Sequence, residues 1–148
     1  MSEYPPPLRH LSRDCPVKQA VWDKFCARFH VLDACVPLFA VGQDGSVQQR
    51  FRGNPPRPYL MRSEECEAMI LSVTDALRDD HESDGVNRYD GMLYMMGWIV
   101  ADRFVPLYIG KTETLGRNGT FSANIAGLHT NKSKFARWGT ATPITLAI

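Results

Sequence analysis

Two β runs, 92–101 and 105–109, stand only a short polar step apart at Asp102-Arg103, and that spacing constrains the chain more than any other feature. So short a connection joins neighbouring antiparallel strands and leaves no room for the long crossover that a parallel pair requires. The first run is too short to cross a bilayer, which takes roughly 18 consecutive apolar residues, and it reads as a buried strand.

The segments around this hairpin alternate between helical and extended patterns. Pro16 suits a first helical turn, and Val17, Val21, Phe25 and Phe29 recur every fourth residue with Trp22 and Cys26 beside them. This predicts a helix over 16–30 whose aromatics belong to the core. Residues 36–41 and 46–51 flank Gly42-Gln43-Asp44-Gly45 and read as a second hairpin. The proline-rich 53–58 is expected to be a loop, with Arg50, Arg52, Arg57 and Arg62 either as ordinary surface charges or as additions to a phosphate contact surface. Ser63 followed by Glu64, Glu65 and Glu67 marks a helix start, because acids favour the positive end of the helix dipole. Met69, Ile70, Val73, Ala76 and Leu77 give that helix an apolar stripe to about Arg78, and the acidic 79–84 with Gly85 is expected to end it. Phe121, Ile125 and Leu128 predict a short helix ending near His129. The fold class is therefore α+β, a small antiparallel sheet with flanking helices. A loose tail over 1–15 leads to a helix–hairpin–helix region over 16–90 and then to a C-terminal region over 91–148.

The 148 residues suffice for one domain with a continuous core. The proline-led opening lacks the basic start and apolar run of a signal peptide, so a cytoplasmic protein with no membrane partner is expected. The four cysteines, Cys15, Cys26, Cys35 and Cys66, form no CxxC pair, and without an export signal a disulfide framework is not expected. Cys26, His30 and Cys35 match no usual finger spacing, so the thiols are read as small buried hydrophobes. A formal charge of +1 conceals an asymmetry. Residues 64–90 hold nine acids against Arg78 and Arg88, whereas 103–148 holds six bases against Glu113 alone. A basic C-terminal third is what a phosphate-binding surface needs, and a solvated face is the competing account.

Within that third, Tyr108-Ile109-Gly110 follows a strand that carries Gly91-Met92-Leu93-Tyr94, with thirteen residues between the two tyrosines. Lys111-Thr112-Glu113-Thr114-Leu115-Gly116-Arg117 comes next. This stretch, about 91–139, resembles the GIY-YIG nuclease superfamily: a degenerate first motif, an intact second one and a downstream arginine. The resemblance implies an endonuclease that hydrolyses phosphodiester bonds in DNA with Mg2+ or Mn2+. It implies that Tyr94 or Tyr108 activates or positions the nucleophile, and that Arg117 stabilises the pentacovalent phosphate through its planar fork. Lys111 and Arg117 are expected to help by favouring a phenolate, and His129 is a candidate proton donor. Lys132, Lys134, Arg137 and Trp138 form a basic-aromatic segment suited to nucleic-acid binding, the cations on phosphate and the indole on a base.

The pattern also fails at one point. The family's metal-binding glutamate lies well after the arginine, and this chain has no Asp or Glu beyond Glu113. The metal ligands are therefore unknown. Either the chain is truncated or altered near its end and inactive, or an acid from Glu65, Glu67 or the 79–84 patch folds over the site. The alternative function is a catalytically inactive nucleic-acid-binding or regulatory protein that retains the scaffold.

Overall fold

The 91–113 hairpin forms the spine of the computed structural model, which describes residues 15–83, 87–132, 134 and 145–147. In chain order the elements are α1 (Cys15–Arg28), α2 (Val31–Ala34), β1 (Val36–Pro37), β2 (Gln49–Arg52), β3 (Arg57–Leu60), α3 (Glu64–Ser83), β4 (Gly91–Val100), β5 (Arg103–Glu113), α4 (Ala123–Ala126) and β6 (Thr145–Ala147). A four-stranded sheet has the order β1-β6-β4-β5, and β2 with β3 forms a separate two-stranded one. The fold is α+β.

β4 and β5 pair antiparallel from Val100↔Arg103 to Gly91↔Glu113. The turn is Ala101-Asp102, one residue earlier than the sequence predicts, and both residues have positive φ, 47° and 57°. Two such residues make the tight turn whose twist matches that of the strands it joins. β5 also runs on through Lys111 and Glu113, beyond the 105–109 run that the sequence marks as a strand. The ladder shifts register between Met96 and Gly97, so that Leu107 is extra on β5 beside Pro106. A bulge tolerates a proline that a regular ladder does not.

Strand pairing sorts the side chains onto two faces. Met92, Tyr94 and Met96 are buried in the main core with Leu38, Phe39, Leu60, Cys66, Ile70, Leu77, Ile125 and Leu128. On the other face Met95 joins a smaller cluster around Val31 and Phe104, where Trp22 and Phe25 pack. The Trp22 indole N–H donates to the Phe104 carbonyl at 2.8 Å. Val17, Val21 and Phe29, expected inside, are exposed, because α1 meets the hairpin near its turn through Trp22, Phe25 and Cys26, so that only Phe25 of the stripe packs there.

α3 starts as predicted, with the Ser63 hydroxyl accepting from the Cys66 N–H at 2.9 Å. It then continues through the acidic patch to Ser83. Asp80 explains why this is tolerated: the carboxylate is buried and accepts from the backbone N–H groups of Arg88 and Tyr89 and from the Arg88 guanidinium at 2.9 Å. Burial alone would raise this carboxyl, but the hydrogen bond from the Arg88 side chain and those from the Tyr89 and Arg88 amides outweigh it and hold it below the ordinary 3.8. The chain entering β4 is thereby fixed to the end of α3. Gly85 lies outside the described residues. The proline-rich segment also departs from expectation, since Arg57–Leu60 forms β3 against β2.

Two left-handed residues at the hairpin turn are costly when neither is glycine, on the order of 1 kcal/mol each. Replacing Ala101-Asp102 by Asn-Gly should therefore raise the thermal midpoint by a few degrees, equivalent to about 1 kcal/mol. Circular dichroism melts of the two proteins check this; an unchanged or lower midpoint contradicts the turn assignment.

Candidate functional site

Tyr94 stands opposite Gly110 in the hairpin, and its ring lies directly over the glycine Cα. A Cβ built on Gly110 would come within 2.7 Å of the ring Cε2 and closer still to Cζ. The third residue of Tyr108-Ile109-Gly110 is thus glycine because a neighbouring ring occupies the place of any side chain. Tyr108 pairs with Met96 on the same face, and the two tyrosine rings lie 5.8 Å apart, tilted by 30°. The Tyr94 phenol is pushed up to about 12, first by burial and then by the hydrogen bond and charge of Tyr108. This is opposite in direction to the phenolate that the sequence reading anticipates.

Beside the pair opens a cleft of about 590 Å3 between the hairpin and the 123–134 segment. Its polar lining comes from Arg52, Lys111, Thr112, Asn124, Asn131 and Lys134, with Tyr94 in its wall. The Lys134 ammonium sits 5.9 Å from the Tyr94 ring centroid, in cation–π range. No carboxylate lines this cleft among the described residues. A second recess of about 380 Å3 shares Lys111, Thr112 and Asn124 with it and reaches Glu113 and Arg117.

The expected site residues divide between these places. Tyr94, Lys111 and Lys134 border the cleft, Tyr108 touches Tyr94, and Arg117 lies next door in a turn before α4 rather than on a helix. Lys111 pairs with Leu93, on the face away from Tyr94, and its ammonium lies 3.4 Å from Glu113 Oε1. It therefore meets the cleft only at the rim. His129 and Lys132 turn away towards α3, with Glu67 Oε2 at 3.5 Å from His129 Nδ1 and 2.7 Å from Lys132 Nζ. Arg137 and Trp138 lie outside the described residues.

Arg62 is the residue that sequence reasoning misplaced. Instead of a surface charge it is buried, with its guanidinium donating to the carbonyls of Leu128, Asn131 and Lys134 and lying 3.7 Å from Glu67. Carbonyls at the end of a helical segment lack internal partners, and a guanidinium offers five donors to satisfy them. Arg62 thus holds the outer wall of the cleft. Its sequence signal was only that of one arginine among four between Arg50 and Arg62, none of them marked by a motif.

A divalent metal site of the implied kind would need hard oxygen donors, carboxylates above all. Glu65 and the described acids of the 79–84 patch do not line the cleft, Glu67 is committed to Arg62, His129 and Lys132, and no group of three potential ligands occurs among the described residues. The described residues do not fit Mg2+ or Mn2+. Of the thiols, Cys66 is buried and pushed up to about 12, chiefly by desolvation, which makes it unreactive. Cys26 and Cys35 are half-buried thiols.

No family model, curated protein or solved structure matches this chain.

The tyrosine–glycine contact has consequences for stability. Gly110→Ala should destabilise the protein by about 2 kcal/mol through overpacking, and the penalty should shrink in a Tyr94→Ala background. Equal penalties in both backgrounds, read by urea unfolding, would contradict the contact. The raised Tyr94 phenol also has a pH signature. The folded state holds this proton more tightly than the unfolded chain, so the stabilisation is complete below the ordinary value of 10 and declines as pH rises towards about 12. Tyr94→Phe should flatten that alkaline decline, as read by urea midpoints across the same pH range.

Proposed function

We propose that the protein binds nucleic acid through the Tyr94 cleft and does so without cutting it. The observation that carries this reading is the lining: Arg52 and Lys134 supply positive charge, Asn124, Asn131, Thr112 and Thr130 supply neutral hydrogen-bonding groups, and no described acid lines the cleft, Glu113 meeting Lys111 only on the other face. Such a surface suits backbone phosphate, whose neutralisation releases counterions, and Tyr94 adds an aromatic edge within the same wall. The raised phenol supports binding over hydrolysis, since a protonated tyrosine donates a hydrogen bond to phosphate but does not take a proton from water.

A second reading is the DNA endonuclease implied by the GIY-YIG resemblance. It is favoured by one observation, that Tyr94, Tyr108 and Gly110 meet and that the Arg117 recess adjoins the cleft. Against it stands the lack, among the described residues, of a carboxylate set suited to a divalent ion.

Fluorescence anisotropy with labelled single-stranded DNA, duplex DNA and RNA separates the readings. Binding is expected to weaken with salt with a log–log slope of about −2 to −3, and Arg52→Ala or Lys134→Ala should each reduce that slope by about one. Plasmid incubated with Mg2+ or Mn2+ should remain intact. Nicking that disappears in Tyr108→Phe and Arg117→Ala would establish the endonuclease instead, and no binding at low salt would remove nucleic acid as the ligand.

A further inference from the structure

Among the described residues β5 is the outer strand of the four-stranded sheet, and the cleft does not use its open edge. The Thr114 N–H points inward, donating to the Asp90 carbonyl at 2.8 Å. Backbone groups alternate in direction along a strand, so Thr112 and Gly110 also turn towards β4. Ile109, Lys111 and Glu113 therefore present their N–H and C=O groups to the open edge. The side chains of these three lie on the face away from Tyr94, since Lys111 pairs with Leu93 and Ile109 with Met95. That face is exposed: Ile109 and Leu93 are 52% and 57% accessible, and the Lys111 and Glu113 side chains 73% and 72%.

Open edges invite pairing with another chain, and proteins commonly guard them with a lysine, a proline or a bulge. Pro106 and the adjacent bulge guard the turn end of β5. The other end has Lys111, but Glu113 two residues later reverses its effect. Rotating a second copy by two-fold symmetry about Thr112 places Lys111 opposite Glu113 of the second copy, and Glu113 opposite its Lys111. Leu115, past the end of β5 and bridged to Phe121 of its own chain, is not part of this pairing edge. In this register the opposed pairs are odd-numbered, the same residues whose backbone groups face outward. A register centred on Lys111 would set lysine against lysine, which opposes pairing. Of these two registers, charge selects the first, the one that pairs opposite charges twice.

We propose that the open edge of β5 pairs antiparallel with β5 of a second copy in this Lys111–Glu113 register. The two four-stranded sheets become one, and because the symmetry axis is normal to the sheet, both clefts open on the same side. This inference rests on the hairpin geometry and the charge order, not on what the cleft binds. A strand pair of this length buries less than a standard interface of about 1,600 Å2, so the dimer is weak, with Kd on the order of 10 to 100 μM.

Sedimentation velocity across about 5 μM to 1 mM reads this equilibrium directly. The wild type should pass from monomer to dimer over that range. Lys111→Glu or Glu113→Lys should each weaken the dimer by about tenfold or more, because each sets like charges opposite one another twice. The combined K111E/E113K exchange should restore it, which a folding defect would not do. A wild type that stays monomeric throughout overturns the proposal. So does a dimer indifferent to the single changes, or one that the double exchange fails to recover.

Discussion

The bare Cα of Gly110 beneath the Tyr94 ring is the constraint on which the site depends. An aromatic ring can lie flat across a neighbouring strand only where that strand has no side chain, and Gly110 provides that place opposite Tyr94. From that position the Tyr94 hydroxyl reaches Tyr108, its ring forms part of the wall of the cleft, and Lys134 lies over it. The bulge at Leu107 matters for the same reason. Without the extra residue, every side chain beyond it would change face, and the Met95–Phe104 cluster that anchors α1 would not form alongside the Tyr94 core.

Much of the fold was legible because it is governed by local rules. The short polar step between two apolar runs specifies a hairpin, and the Ser63 cap with three following acids specifies the start of α3. What was not legible depended on partners distant in sequence. β5 extends through Lys111 and Glu113 because β4 offers pairing there, although the apolar run that marks the strand stops at Ile109. α3 passes through its acidic patch because Asp80 finds Arg88 and two amides, and a run of acids gives no hint of which one is neutralised. β3 forms in a proline-rich stretch because β2 is at hand to pair with it.

The site was legible in its residues and not in its directions. Tyr94, Tyr108 and Gly110 were identified from a tripeptide and a preceding strand, and they do meet. Yet period-two alternation puts Lys111 on the opposite face from Tyr94, where Glu113 engages it. His129 and Lys132 likewise follow Leu128 and Asn131 in sequence but turn to Glu67 while those neighbours line the cleft. Arg62, with no motif to mark it, holds the segment that carries Leu128, His129, Asn131, Lys132 and Lys134.

The Tyr94 environment shows why recognition of phosphate and activation of a tyrosine place different demands on one pocket. Arg52 and Lys134 are exposed at the cleft, so their attraction for an anion acts through solvent and is screened by salt. Burial penalises a phenolate, and at Tyr94 the penalty prevails: Lys111 is spent on Glu113, and the Lys134 ammonium over the ring does not bring the phenol back to its ordinary value. A hydrolytic site would need that balance inverted, with a cation lowering the phenol and a carboxylate set nearby to hold a metal. The described arrangement keeps the tyrosine protonated beside the cations of Arg52 and Lys134, and the proposed binding of phosphate without hydrolysis rests on that combination.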